Sequence, residues 1–169
     1  MADISEVSAS WAEGRQIITD APVEAMSDGL GQMDTISLTD VLGKASALQQ
    51  LYLRKVDGLT RISSSVGLAS EGAAGVLSEM TEGAGNQNAL NAVTANQTMG
   101  SSSETVIGSL GEGKTRIEEI GVAIGTALRL LSEFEDIVGG ATEAADSALM
   151  AKGFAISSGD AYVRDIGAS

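Results

Sequence analysis

Histidine and cysteine are absent from the 169 residues, proline occurs once, and aromatic residues make up only 3%. Without His or Cys, zinc, haem and iron–sulfur centres lose their usual ligands. Neither a Ser-His-Asp nor a Cys-His catalytic arrangement can be built. Basic residues are scarce: 10 Lys and Arg stand against 23 Asp and Glu, a formal net charge of −13. Phosphate binding draws on Lys and Arg, so no nucleic-acid partner is expected. Long hydrophobic runs are missing as well. The most apolar stretch, Ile120 to Leu131, is interrupted by Arg129 and is shorter than the roughly 20 residues that span a bilayer. Met1 to Glu6 is acidic and interrupted, unlike the basic start and apolar run of an export signal. The expectation is a soluble chain made in the cytoplasm without a signal peptide, with no membrane span and no cofactor. Any export would use a specialised secretion system.

Apolar residues instead recur at alternate steps of three and four. One series reads Leu38, Val41, Ala45, Leu48, Tyr52, Lys55, Leu59, Ile62, Val66, Ala69, Ala73, Val76 and Met80, and only Lys55 breaks it. A second reads Val106, Leu110, Gly113, Ile117, Ile120, Ile124, Ala127, Leu131, Phe134 and Val138. This is the spacing of a coiled-coil seam, not the alternation of a strand. At 1.5 Å per residue the two helices would be roughly 60 Å and 50 Å long. The chain therefore reads as one all-α domain, an elongated antiparallel helical hairpin or coiled-coil bundle. Residues 1–36 hold short helices, 37–82 a long helix capped by Ser37 or Thr39, and 83–103 a linker with a short helix around Leu90 and Val93. Residues 104–140 hold the second long helix, ended or kinked at Gly139-Gly140, and 141–169 a short Ala-rich helix and tail. The linker is placed by its breakers, among them Gly83, Gly85, Asn86, Gly100 and Ser101 to Ser103. Asp20 reads as the N-cap of a helix entered through Pro22.

The seams are small, with Gly, Ala or Ser at many positions, and each helical glycine costs up to about 1 kcal/mol relative to alanine. Two readings follow: a closely packed bundle interior, or faces that await other subunits. Ile120 to Leu131 is apolar nearly all round, which demands cover on more than one side. The residues expected to carry core or oligomer contacts are Leu48, Tyr52, Leu59, Ile62, Val66, Ile117, Ile120, Ile124, Leu131 and Phe134. Trp11, the only Trp, lies on the stripe Ile4, Val7, Trp11, Gly14, Ile18 and reads as a core or interface anchor. Residues 37–66 carry +4 − 2 = +2, leaving −15 elsewhere. A hairpin centred near Asn91 to Val93 would set Arg54 and Lys55 opposite Glu133, Glu135 and Asp136.

One motif carries chemistry. Gly108-Ser109-Leu110-Gly111-Glu112-Gly113-Lys114-Thr115 fits G-x-x-x-x-G-K-[ST] without a mismatch. In a true phosphate loop the glycines free backbone N–H groups for phosphates, Lys114 reaches the β/γ-phosphates and Thr115 holds Mg²⁺. The motif should follow a buried strand within a parallel sheet, and here the seam register runs through it unbroken. Nucleotide binding is therefore the alternative, beside a glycine-interrupted helix or hinge. Glu118-Glu119 and Glu133, Glu135, Asp136 read as a wet helix face.

Two families are similar in texture. Trp11-Ala12-Glu13-Gly14 and Tyr162-Val163-Arg164-Asp165 resemble the Trp-x-Gly turn and the Tyr-x-x-x-Asp/Glu export signal of the WXG100 (ESX-type) secreted hairpins, the first one residue longer and the second one shorter. Leu42 to Gly67, with Leu48, Leu51, Tyr52, Lys55 and Val56, resembles the polymerising helix of type III needle, inner-rod and filament subunits. Both resemblances imply a helical protein that pairs or polymerises. The expected function is a non-enzymatic, self-assembling structural protein: a filament, tube or secretion-apparatus subunit, or a secreted helical substrate. A homo-oligomer or polymer is the expected state, and an adaptor bundle binding a partner helix is a further alternative.

Overall fold

A computed structural model of the chain describes residues 4–34, 36–81 and 86–168, apart from the side chains of Asp34, Leu38, Thr39, Thr81 and Ile124. Met1 to Asp3, Gly83, Gly85 and the side chain of Ile124 thus lie outside the described residues. The elements are α1 (Ile4–Asp20), α2 (Val23–Asp34), α3 (Leu38–Gly43), α4 (Ala45–Thr81), α5 (Gln87–Val122) and α6 (Ala127–Ala168), with a 3-10 turn at Ile124–Thr126 before α6. No strand occurs among the described residues. The fold is all-α.

Cross-links along the helices give the arrangement. α4 and α5 run antiparallel: Gln49 meets the Ile117 carbonyl, Asp57 meets Lys114 and Ser70 meets Asn96. α5 and α6 also run antiparallel, from Asn88–Asp165 at one end to Arg116–Glu133 towards the other. The fourth position is filled by α1 and α2 end to end. Both pack on α4 and on α6: Met26 lies at Ser63, Trp11 at Asp160 and Glu24 at Lys152. The result is an up-down-up-down four-helix arrangement whose first helix is broken at Pro22.

The three- and four-residue spacing produces helices because each one buries its stripe here. Leu110, Val106 and Met99 on α5, Val66 and Leu77 on α4, and Ala141, Ala145 and Ala148 on α6 are fully buried. On α4 the innermost row is Tyr52, Val56, Leu59, Ser63, Val66, Ser70, Ala73, Leu77 and Met80. Lys55, Ile62, Ala69 and Val76 flank it. Two serines occupy deep sites because their hydroxyls are satisfied there. Ser63 donates to the Met26 sulfur at 3.2 Å, and Ser70 donates to the Asn96 carbonyl at 2.8 Å. Asn96 Nδ2 returns a bond to the Ser70 carbonyl at 2.8 Å. That reciprocal buried pair fixes the α4–α5 register, since a slip would strand its polar groups.

Several boundaries differ from the sequence expectations. The 83–103 linker is helical from Gln87 onward, capped by Asn86, whose side chain accepts from the Asn88 N–H. Ser102 and Ser103 are not breakers but buried thin spots, and Ser103 donates to the Met99 carbonyl within the helix. The second long helix does not run from 104 to 140; it ends at Val122, where Ala123 leaves helical geometry with φ −133. Ile120 to Leu131 is apolar all round because it is two helix ends folded together: Ile120 faces inward from α5, and Leu130 and Leu131 from α6. Gly139 and Gly140 neither end nor interrupt a helix. They sit on the exposed face of α6 while Val138 and Ala141 hold it to the core. The expected tail is the second half of α6. Ser37 caps the short α3, and the long helix starts only at Ala45, after the break at Lys44. Asp20 closes α1 and accepts from Gln16 instead of capping α2. Lys55 faces the Gln32 carbonyl and Glu133 faces Arg116, so the charge pairing expected between α4 and α6 does not form.

Lys152 ties the broken fourth helix to α6. Its ammonium is buried and uses all three donors, on the carbonyls of Thr19 and Ala21 at 3.0 Å each and on Glu24 Oε2 at 2.9 Å. A cation at the carbonyl end of α1 also suits the helix dipole. At Glu24 burial pushes the carboxyl pKa up, but the Lys152 hydrogen bond, the glutamate's own backbone and the Lys152 charge outweigh it and hold the pKa below 4.5. A lowered folded pKa adds stability above the ordinary value, and that stability is lost as pH falls through the folded one. Glu24→Gln should therefore melt below wild type at neutral pH, and the gap should narrow as pH falls below the ordinary glutamate range. Thermal melts along a pH series check this.

Candidate functional site

The sequence-selected seam residues lie inside the chain. Tyr52, Leu59, Val66, Ile117, Ile120, Leu131 and Phe134 are buried, and Leu48 and Ile62 are half-buried against the same cluster. At its centre the Phe134 ring meets Tyr52 edge-on, with centroids 5.2 Å apart. Gly113 makes room for it: a Cβ there would come within 2.7 Å of the ring. Trp11 is also internal. Its indole lies on Gly159, where any Cβ would overlap it, and Nε1 donates to Asp160 Oδ1 at 2.8 Å. Arg15 holds the same carboxylate at 3.1 Å.

The Gly108 to Thr115 segment is the middle of α5. Its backbone N–H groups are turned into the helical ladder and do not form a phosphate-binding loop. Lys114 points across to Asp57 at 3.1 Å, and the Thr115 hydroxyl donates to the Gly111 carbonyl. The glycines that complete the motif serve packing at Gly113 and lie open to solvent at Gly108 and Gly111. Among the described residues no group of Asp and Glu is placed to hold a metal ion, and no helix is long and apolar enough to cross a membrane.

Among the exposed large apolar side chains, Leu68, Leu90, Val122 and Leu128 lie apart, and Met150 and Phe154 flank a groove between α5 and α6. It has a volume of about 770 Å³ and is walled by Thr94 and Thr98 on one side and Met150 and Phe154 on the other. Met150 is 77% exposed and Phe154 53%. The groove arises from the inner faces. Ala92 and Ala95 of α5, and Ala148, Ala151 and Ala155 of α6, point to the core. Met150 and Phe154, two large side chains of this stretch of α6, are on its outer face.

No protein-family model matches this chain, and no curated protein and no solved structure matches it significantly.

Electrostatics set the groove apart. No Lys or Arg occurs from Ile62 to Gly113, and Lys152, the only one from Leu130 to Val163, is turned inward. Sequence reasoning missed this site because 141–169 read as a short helix and tail. A signal was present: Met150 and Phe154 are four apart and off the alanine stripe, a second apolar row on a helix that already has one.

Proposed function

We propose that the protein is a non-enzymatic helical bundle whose work is association, with the outer α5–α6 groove receiving a helix from another protein. The observation that carries this is the exposure of Met150 and Phe154 over an uncharged groove while the seams are used inside the bundle. Large side chains held out on rigid helices at helical spacing suit the apolar face of an incoming helix. The expected test result is binding of a labelled synthetic amphipathic helix with Leu anchors and Gln flanks, weakened about tenfold or more by Phe154→Asp. Equal binding to wild type and Phe154→Asp would move the site elsewhere. Phe154 is half-exposed, so the substitution should leave the melt nearly unchanged.

Self-assembly into a filament, tube or secretion-apparatus part is the second reading, supported by Val122, 90% exposed, and Leu128, 64% exposed. Both flank the α5–α6 turn and present an apolar end to the bundle. A mass above one chain in light scattering is the result this reading requires.

A further inference from the structure

We propose that the α5–α6 groove takes a partner helix of a specific kind, with apolar anchors in one half and Lys or Arg in the other. This rests on the groove-binding reading above and adds the chemistry of the partner. Two exposed rows frame the groove. On α5 they are Thr94, Thr98, Ser101, Thr105, Gly108 and Glu112, spaced alternately four and three. On α6 they are Asp136, Gly140, Glu143, Ser147, Met150 and Phe154, spaced in the same way. Each row therefore lies on a single helix face. The end bearing Met150 and Phe154 is apolar. The other end opens into a depression of about 460 Å³ walled by Glu112, Glu133 and Asp136. The groove thus changes along its length from apolar to acidic.

The acidic end is poorly neutralised. Its one base, Arg116, is engaged with Glu119 at 3.0 Å and Glu133 at 3.3 Å. The hydrogen bond Arg116 donates to Glu119, then the charges of Glu119 and Glu133 and least that of Glu112, raise the Arg116 pKa above its ordinary range. Glu112, Asp136 and Glu143 form no salt bridge among the described residues. Gly108 stands between Thr105 and Glu112, where apolar gives way to acidic, and Gly140 stands between Glu143 and Asp136 inside the acidic half; a Cβ at either would meet nothing within 4 Å. Glycine weakens a helix, and no neighbour in this chain requires it at these two sites. Their bare backbone lets another helix come close to the carboxylates. Asp136 to Phe154 spans about 27 Å, the length of about 18 helical residues.

A second copy fits this surface poorly. A twofold axis through Gly108 and Gly140 would set Asp136 of each copy beside Glu143 of the other, like charges desolvated without partners. An axis through Met150 and Phe154 would leave both acidic halves uncovered. A helix with basic residues in one half covers the whole groove.

The test uses the full chain and three labelled synthetic peptides of about 18 residues. All carry the same Leu anchors in one half, and their other half is flanked by Lys, Gln or Glu. The Lys peptide should bind about tenfold or more tighter than the Gln peptide, and the Glu peptide weakest, with the spread shrinking as salt is added. The triple variant Glu112→Gln, Asp136→Gln, Glu143→Gln should abolish the Lys advantage while still binding the Gln peptide. The control triple Glu6→Gln, Glu71→Gln, Glu79→Gln, with the same net charge, should keep it. Gly108→Leu with Gly140→Leu should melt no lower than wild type yet bind the Lys peptide about tenfold more weakly. A Lys advantage lost equally in both triples would reduce the effect to overall charge and overturn the inference. Binding of all three peptides alike would overturn it and leave the groove reading standing, whereas binding of none would remove both. A dimer of the free chain that Phe154→Asp returns to one chain would make a second copy the occupant and also overturn it.

Discussion

Replacing Leu110 with aspartate is expected to unfold the bundle. Leu110 is fully buried in the main apolar cluster, in the second half of α5, and α4 and α6 both pack on that helix. A carboxylate there would meet no cation, and an unpaired buried charge costs several kcal/mol or forces the group to take up a proton. Small domains have about 5–15 kcal/mol in total, so one such substitution removes a large share. Circular dichroism of Leu110→Asp should show a large loss of helix at neutral pH, or a urea midpoint far below wild type. Leu110→Met keeps volume and polarity and should cost under about 1.5 kcal/mol. An aspartate variant that unfolds at the wild-type urea concentration would mean that α5 does not bury this face.

The second large effect is expected at Trp11. Deleting its side chain as Trp11→Ala should cost about 3–5 kcal/mol, because the indole is buried on Gly159 in a core cluster where Ala73, Ala89, Ala92, Ala95 and Ala155 contribute little volume. The loss should be local first: α1 should come off α4 and α6 before the remaining helices separate, giving two steps in a melt. Gly159→Ala attacks the same contact from the other side, since a methyl group there overlaps the indole. It keeps the only Trp as a probe. Its emission should shift to the red at temperatures where circular dichroism still reports most of the helix. A single transition in both signals, at the wild-type temperature, would contradict this docking of α1.

Helical class was legible because the three- and four-residue spacing persists through the glycines and serines. Val106, Leu110, Ile117, Ile120, Phe134 and Val138 are buried, as that spacing requires. The helix ends were not legible, and the reason is physical. Ser102, Ser103 and Gly113 resemble breakers by composition, yet each is a thin spot where another helix presses close, and the packing outweighs the local cost. Gly139 and Gly140 are tolerated because the opposite face of the same turn is anchored at Val138 and Ala141. The turn at Ala123 lies in the most apolar stretch of the chain, where both folded-back ends must be apolar to meet the core. The match to a phosphate-loop pattern came from the same glycine supply, used here for a close helix approach at Gly113. The groove was hidden because the inner stripe of α6 from Ala141 to Ala155 is mostly alanine, while Met150 and Phe154 face outward.

The long apolar seams are covered within one chain, which leaves the outer face for partners. The most direct measurement is helix content by circular dichroism together with mass by light scattering, followed down a dilution series. Full helix content is expected where the mass is that of one chain, with a melting temperature there that does not depend on concentration. Helix that disappears together with the loss of a larger assembly would show that the seams are contacts between chains, and would contradict it.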